Sequence, residues 1–204
     1  MVTTLSAQSI TCQAGYYGDV FTFWSGNLAL DFAGTVGHRD TDRQELVGSP
    51  GLLADWVTAA GLLDEPPVLD EHDHAQAVRL REAVYRLAAA PLRGWARTAE
   101  DVAVVNEFAG PAPVRPELVV GGIGELRLSR TGTMGEVLAD LARSAADLLG
   151  GPDAARVREC ESAPCTRLYV DTSRGGSRRW CGMRECGNRE KAAAFRSRRR
   201  PPGQ

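Results

Sequence analysis

A mostly helical α+β domain with a small antiparallel sheet, followed by a small four-cysteine module, is the fold class this 204-residue chain predicts. Three observations predict it. Four stretches with helical apolar spacing occupy the segment before Gly150, two β-rich runs flank a glycine-rich turn at 121–124, and four of the five cysteines crowd into the last 45 residues. The break at Gly150-Gly151-Pro152 divides the chain. It reads as a flexible leader (1–18), an α+β domain (19–151) and a C-terminal module (152–204).

Val20–Val36 is rich in aromatic and β-branched residues and interrupted at Ser25-Gly26-Asn27, so it reads as a strand, a turn and a second strand or short helix. A polar loop, Gly37–Val47, follows. Ser49-Pro50 supplies an N-cap and a first-position proline for a helix carrying Leu52, Leu53, Trp56, Val57 and Ala60, with Gly61 as its C-cap. A second helix is expected from about Asp70 to Ala90, burying Val78, Tyr85, Leu87 and its alanines, with Pro91 as its stop. Thr98 and Asp101 resemble a capping box for a third, which buries Val102, Val105 and Phe108. Glu117–Val120 and Glu125–Arg130 form a hairpin across Gly121-Gly122-Ile123-Gly124. Thr133 with Glu136 caps a fourth helix, whose Val137, Leu138, Leu141, Ala145, Leu148 and Leu149 follow the helical period.

The longest apolar runs are short and broken by Asp, Arg or Gly, and the first ten residues lack the features of a signal peptide. The expectation is a cytoplasmic protein without a membrane span, in which Cys12 is a free thiol of the leader. Net charge is −2, but it is unevenly placed. Residues 1–159 carry 13 basic against 22 acidic groups, whereas residues 160–204 carry 11 against 4. A basic end on an acidic chain suggests an anionic partner held by that end.

Cys160, Cys165, Cys181 and Cys186 are spaced C-x4-C-x15-C-x4-C. Two disulfides or four unrelated buried thiols would also fit. Closely spaced pairs on two chain segments are how structural Zn2+ collects four thiolates with little strain, and in a chain without export features the metal reading is favoured. Between the pairs, 167–171 and 177–181 alternate apolar and polar residues around Arg174-Gly175-Gly176, which predicts a β-hairpin. After Cys186 nothing breaks a helix until Pro201. A knuckle, a hairpin and a helix carrying the last ligand resemble a treble-clef finger. On that helix Arg189, Arg196 and Arg200 fall within about 20° of one stripe and Phe195 lies about 120° away, so one side is expected to pack on the hairpin and Trp180. Arg174, Arg178, Arg179, Arg184 and Lys191 add charge around it. Helix-borne arginines reach phosphates and guanine edges, so these eight cations are the candidate DNA-binding residues; a solvated basic helix is the plainer alternative.

Cys160-x4-Cys165, then LYVDTSR (168–174) and RRWCGMRECGNREKAAAFRSR (178–198), resemble the CGNR zinc-finger family, named for the tetrapeptide Cys186-Gly187-Asn188-Arg189. GNLALDFAGTV (26–36) and SPGLLADWVTAAGLL (49–63) resemble the stress-induced transcription regulator domain usually fused to that finger, with Gly34 where that domain usually has Asn. The resemblance implies a bacterial, cytoplasmic regulator that binds DNA through a zinc finger.

Asp31, Thr35, His38 and Arg39 surround the second motif; a buried, hydrogen-bonded strand end is the plainer reading of these residues, and Asp31, Thr35 and Arg39 are the candidates for a small-molecule effector pocket. Glu71-His72-Asp73-His74 is no metal site, because histidines at i and i+2 of a helix point apart. The GGIG turn lacks the spacing of a phosphate loop, and no nucleophile elbow or HExxH motif occurs, so no catalytic role is expected. The reading is a zinc-finger transcriptional regulator, with an adaptor that binds protein or structured RNA as its alternative. A homodimer formed through the α+β domain would suit paired DNA half-sites.

Overall fold

The computed structural model describes residues 21–199, with side chains as far as Ser197; the leader, Cys12 and Arg200 lie outside the described residues. Among the described residues the elements run α1 (Leu28–Ala33), β1 (Val36–Gly37), β2 (Gln44–Glu45), α2 (Pro50–Ala59), α3 (Glu71–Arg93), α4 (Ala99–Ala109), β3 (Pro116–Val120), β4 (Leu126–Arg130), α5 (Met134–Gly150), β5 (Val157–Glu159), β6 (Leu168–Val170) and α6 (Asn188–Arg199). The strands form three separate two-stranded antiparallel ladders, β1–β2, β3–β4 and β5–β6. Among the described residues no helix is long and apolar enough to cross a membrane.

Local chemistry sets the helix ends. Ser49, Thr98 and Thr133 each accept a backbone N–H at the start of their helix, and Glu136 closes the capping box on α5. At α4 the box is half made, because the Asp101 carboxylate turns instead to Arg86 at 2.6 Å. Contrary to expectation, Pro91 does not stop α3. The helix runs on to Arg93 and ends on Gly94 at φ +68°. A proline deprives the carbonyl four residues back of its donor, and here Arg97 Nε fills that role, donating to Leu87 O at 3.2 Å.

The core lies between α1, α3 and α5, with α2 and α4 on its flanks. It is built from Leu30 and Phe32 of α1, Trp56 of α2, Leu80, Val84 and Leu87 of α3, and Val137, Leu141 and Ala145 of α5. The rings of Phe32 and Trp56 stand 5.0 Å apart. Val102, expected inside, is exposed. Arg81 lies on the buried stripe of α3 and is 1% exposed. Its charge is tolerated because Glu45 takes it in a fork at 2.6 and 2.7 Å, with Thr35 and Glu82 on its remaining donors. That fork ties β2 to α3.

Two expectations about strands need correction. Residues 21–24 are not a strand, and after the Ser25–Asn27 turn the chain enters the short helix α1. In the C-terminal module, β6 pairs with β5 and not with 177–181, in the register Val157↔Val170, Arg158↔Tyr169 and Glu159↔Leu168. The first cysteine pair therefore sits in the loop of a β-hairpin. Alternation along β6 sends Leu168 and Val170 into the main core and Tyr169 into a second cluster with Cys160, Cys181 and Cys186. One strand is thus a wall shared by both parts of the molecule.

Candidate metal centre and basic helix

β5 delivers Cys160, and the loop returns through the fully buried Ser162 to Cys165, whose N–H donates to Ser162 O at 2.9 Å. After β6 the chain turns over Asp171. Its carboxylate accepts from the N–H and hydroxyl of Ser173 and from the N–H of Arg178, a local network that holds its pKa below the usual carboxylate range. Gly175 and Gly176 take positive φ within this turn. The returning arm is held by single tethers and not by a ladder: Tyr169 donates its hydroxyl to Arg178 O, and Glu161 N–H donates to Arg179 O. It ends at Cys181. Gly182 then passes against the Trp24 ring so closely that a Cβ there would meet ring carbon at 2.3 Å. A π turn, Met183–Gly187, brings Cys186 in at the root of α6.

The four sulfurs lie within 4.8 Å of one another. Cys165 and Cys181 are 3.8 Å apart and Cys181 and Cys186 are 3.6 Å apart, far longer than the ~2.05 Å of a disulfide. Four ligands at about 2.3 Å around a tetrahedral ion stand about 3.8 Å from each other, so the cluster fits Zn2+. Two N–H groups point at sulfur, as thiolates require: Cys181 N to Cys160 Sγ at 3.4 Å and Arg189 Nη2 to Cys186 Sγ at 3.5 Å. Thiols this crowded cannot titrate independently. Hydrogen bonds from Cys165, Cys181 and Cys186 pull Cys160 well below the ordinary thiol range, while Cys181, next to the other three, is pushed well above it. A cleft of about 100 Å³ opens on the cluster, lined by Cys165, Cys181, Cys186, Arg167 and His38 among others.

Seven of the eight predicted cations separate into three groups. Arg178 and Arg189 are internal fasteners. Arg178 stacks on Tyr169 at 4.3 Å and donates to the carbonyls of Trp24, Trp180 and Cys181, while Arg189 grips the hydroxyl and carbonyl of Ser162. Arg179 forms an exposed pair with Glu161 at 2.6 Å. Arg174, Arg184, Lys191 and Arg196 are exposed, with no ion pair among the described residues. Arg200 lies outside the described residues. Residues 191–197 of α6 are exposed and Phe195 is 53% exposed, so this part of the helix does not bury one side on the returning arm.

Asp31, Thr35 and Arg39 point to internal partners. Asp31 accepts from Ser25 N–H at 3.0 Å, and Thr35 bonds Phe32 O and Arg81. Arg39 pairs with Glu82 at 2.7 Å and lies 3.8 Å over the Tyr85 ring. Neither this structure's cleft at the cysteines nor its cleft beside β4 is lined by any of the three. His74, one of the four residues of the discounted Glu71–His74 group, contacts Val47 O at 2.7 Å. Sequence reasoning missed Ser162, Tyr169 and Asp171 as builders of the module, and Arg81 with Glu45 and Glu82 as the buried charge cluster. Arg81 had a signal: a cation four residues after Ala77 and three before Val84 falls on the helix's apolar stripe.

Among curated proteins none matches the chain. Residues 156–199 match the CGNR zinc finger, and residues 26–152 match the ABATE family, described as "Putative stress-induced transcription regulator". Because this second match spans more than half of the chain, the protein belongs to that transcription-regulator family and carries a CGNR zinc finger behind the family domain.

Proposed function

We propose that this regulator binds DNA through a zinc-loaded finger, with Zn2+ held by Cys160, Cys165, Cys181 and Cys186 and phosphates met by Arg174, Arg184, Lys191 and Arg196. The observation that carries the reading is the convergence of four sulfurs at the root of a helix whose residues 191–197 are exposed and whose Lys191 and Arg196 have no ion pair among the described residues. Bound zinc supplies a cross-link between the two knuckles and no reactive position, because all four ligand places are taken by protein. Arg189 and Ser162 then orient the helix on the knuckle, and the Arg189 charge offsets part of the excess negative charge of four thiolates on a divalent ion. Arg179 can leave its exposed pair for a phosphate at little cost, since such pairs contribute about 0–1 kcal/mol.

With four phosphate contacts, log K should fall with log[salt] at a slope of roughly −3 to −4. Lys191→Ala and Arg196→Ala should each flatten that slope by about 1 while leaving the fold intact. Fluorescence anisotropy with random-sequence duplex DNA checks this; absence of binding, or binding indifferent to salt, overturns the proposal. Cys165→Ser should lose both zinc, by metal analysis, and DNA binding. Binding to structured RNA that survives excess duplex DNA would reassign the partner.

A further inference from the structure

The β3–β4 hairpin has its faces reversed relative to an ordinary half-buried sheet. Leu118 pairs with Leu128 and Val120 with Leu126, so the four side chains share one face, with Ile123 at the tip. They are 67%, 43%, 72% and 67% exposed in that order, and Ile123 is 94% exposed. Arg127 and Ser129 belong to the other face, and this is the one turned towards the body, across a cleft of about 490 Å³ lined also by Leu63, Asp64 and Pro66. A hairpin whose inner face carries Glu117, Val119, Arg127 and Ser129 while Leu118, Val120, Leu126 and Leu128 face outward leaves a contiguous apolar patch in water, which marks an interaction site.

We propose that this aliphatic face is the dimerisation surface of the protein and that its occupant is the same face of a second copy. The five side chains present roughly 600 Å² of aliphatic surface, close to the about 800 Å² each partner brings to a standard-size interface. The centre of the face carries no charge: Glu117 and Arg127 sit on the opposite side of the ladder, and Arg130, on the same face by alternation, lies at the end farthest from the tip, so two copies can meet with that ion left at the rim. A two-fold axis lying just outside this face and parallel to it places identical aliphatic patches against each other, and a self-complementary patch is what a symmetric dimer requires. The strand edges fit the same arrangement. The β4 edge is closed at Arg130, whose backbone exchanges hydrogen bonds with Asp64, whereas β3 carries no lysine and is blocked only by Pro116 at its start.

The test is the mass of the full-length, metal-loaded chain by sedimentation equilibrium without DNA, at concentrations on the order of 50 µM, where a dimer of micromolar affinity is populated. The expected mass is twice 21.9 kDa. It should halve in Leu118→Glu/Leu128→Glu while far-ultraviolet circular dichroism stays unchanged, since both side chains are solvent-facing. Val102→Glu, on the exposed face of α4, should remain dimeric. A single-chain mass for the native protein, or a dimer that persists in the double variant, overturns the proposal, and a monomer would leave the face to a partner other than itself. If the double variant misfolds, amide exchange at Leu118 and Val120 decides: protection that weakens on dilution supports the dimer, and dilution-independent exchange refutes it. None of these readouts depends on DNA, so failure of the DNA-binding proposal leaves this one standing.

Discussion

Asp31 sits in the first turn of α1 with its carboxyl buried, and the loss of solvent pushes its pKa up to about 6 despite the Ser25 N–H it accepts. Between the ordinary aspartate value of 3.8 and 6 the folded state binds more protons than the unfolded one, so this group lowers stability as pH rises through that window and imposes a constant cost above it. Asp31→Asn keeps the acceptor oxygen without the charge. It should gain roughly 1–2 kcal/mol at pH 7.5, allowing for the lost attraction to Arg167, with the gain shrinking towards pH 4. Urea unfolding at several pH values measures it; a variant less stable at pH 7.5 would mean that the ionised carboxylate is a net stabiliser. The same residue shows what was legible at this scale. Polar atoms around α1 are open from sequence to a pocket or to a hydrogen-bonded strand end, because the sequence does not reveal that Asn27 caps Ala29 and Leu30 and that Asp31 closes the Ser25 turn. Arg189 and Arg196 likewise share a helical stripe, and only the position of Ser162 separates the fastener from the free cation.

Helices were more legible than strands, because caps are local. Ser49, Thr98 and Thr133 act on amides two or three residues away, so spacing alone locates them. Strand partners are a tertiary matter. The 167–171 run had two candidate neighbours, and it pairs with the three-residue segment ahead of Cys160 because that register buries Val157, Leu168 and Val170 together. The segment 177–181 is left to one backbone bond from Glu161 and to side-chain tethers, of which Arg178 is the largest. Arg178→Ala should therefore undock this arm, losing the cation–π contact and leaving the Trp24 and Cys181 carbonyls without their donor, at a cost of about 2–4 kcal/mol. Arg174→Ala, on the exposed turn of the same arm, should stay within about 0.5 kcal/mol of the native protein. Chemical denaturation of the two zinc-loaded variants compares them, and equal stabilities would show that the arm is held without Arg178.

The glycine-proline break at 150–152 divides the sequence, and the two family matches meet there, yet the hydrophobic core runs across it. Val157, Leu168 and Val170 pack with the helices, Val170 N–H donates to Ser25 O at 2.7 Å, and Arg93 of α3 pairs with Glu159 of β5. The cysteine cluster lies on the other side of the same short strand, so its order and that of the helical core are physically linked. Removing the metal frees four crowded thiols, lets the two knuckles part and withdraws the support behind Tyr169. β6 then loses its outer face, and the inner one, which contributes about 1.5–3 kcal/mol for each buried Val or Leu, weakens with it. A loss of several kcal/mol in a chain of this size moves the midpoint by about 2–4 °C per kcal/mol, so chelation should lower the melting temperature of the helical signal by on the order of 10 °C. Circular dichroism at 222 nm with and without chelator follows the helices, and hydrogen exchange of Leu141 and Ala145 reports α5 itself. An unchanged melt with full protection of α5 would show two independent units; a joint shift would show that the metal acts through β6 on the whole molecule.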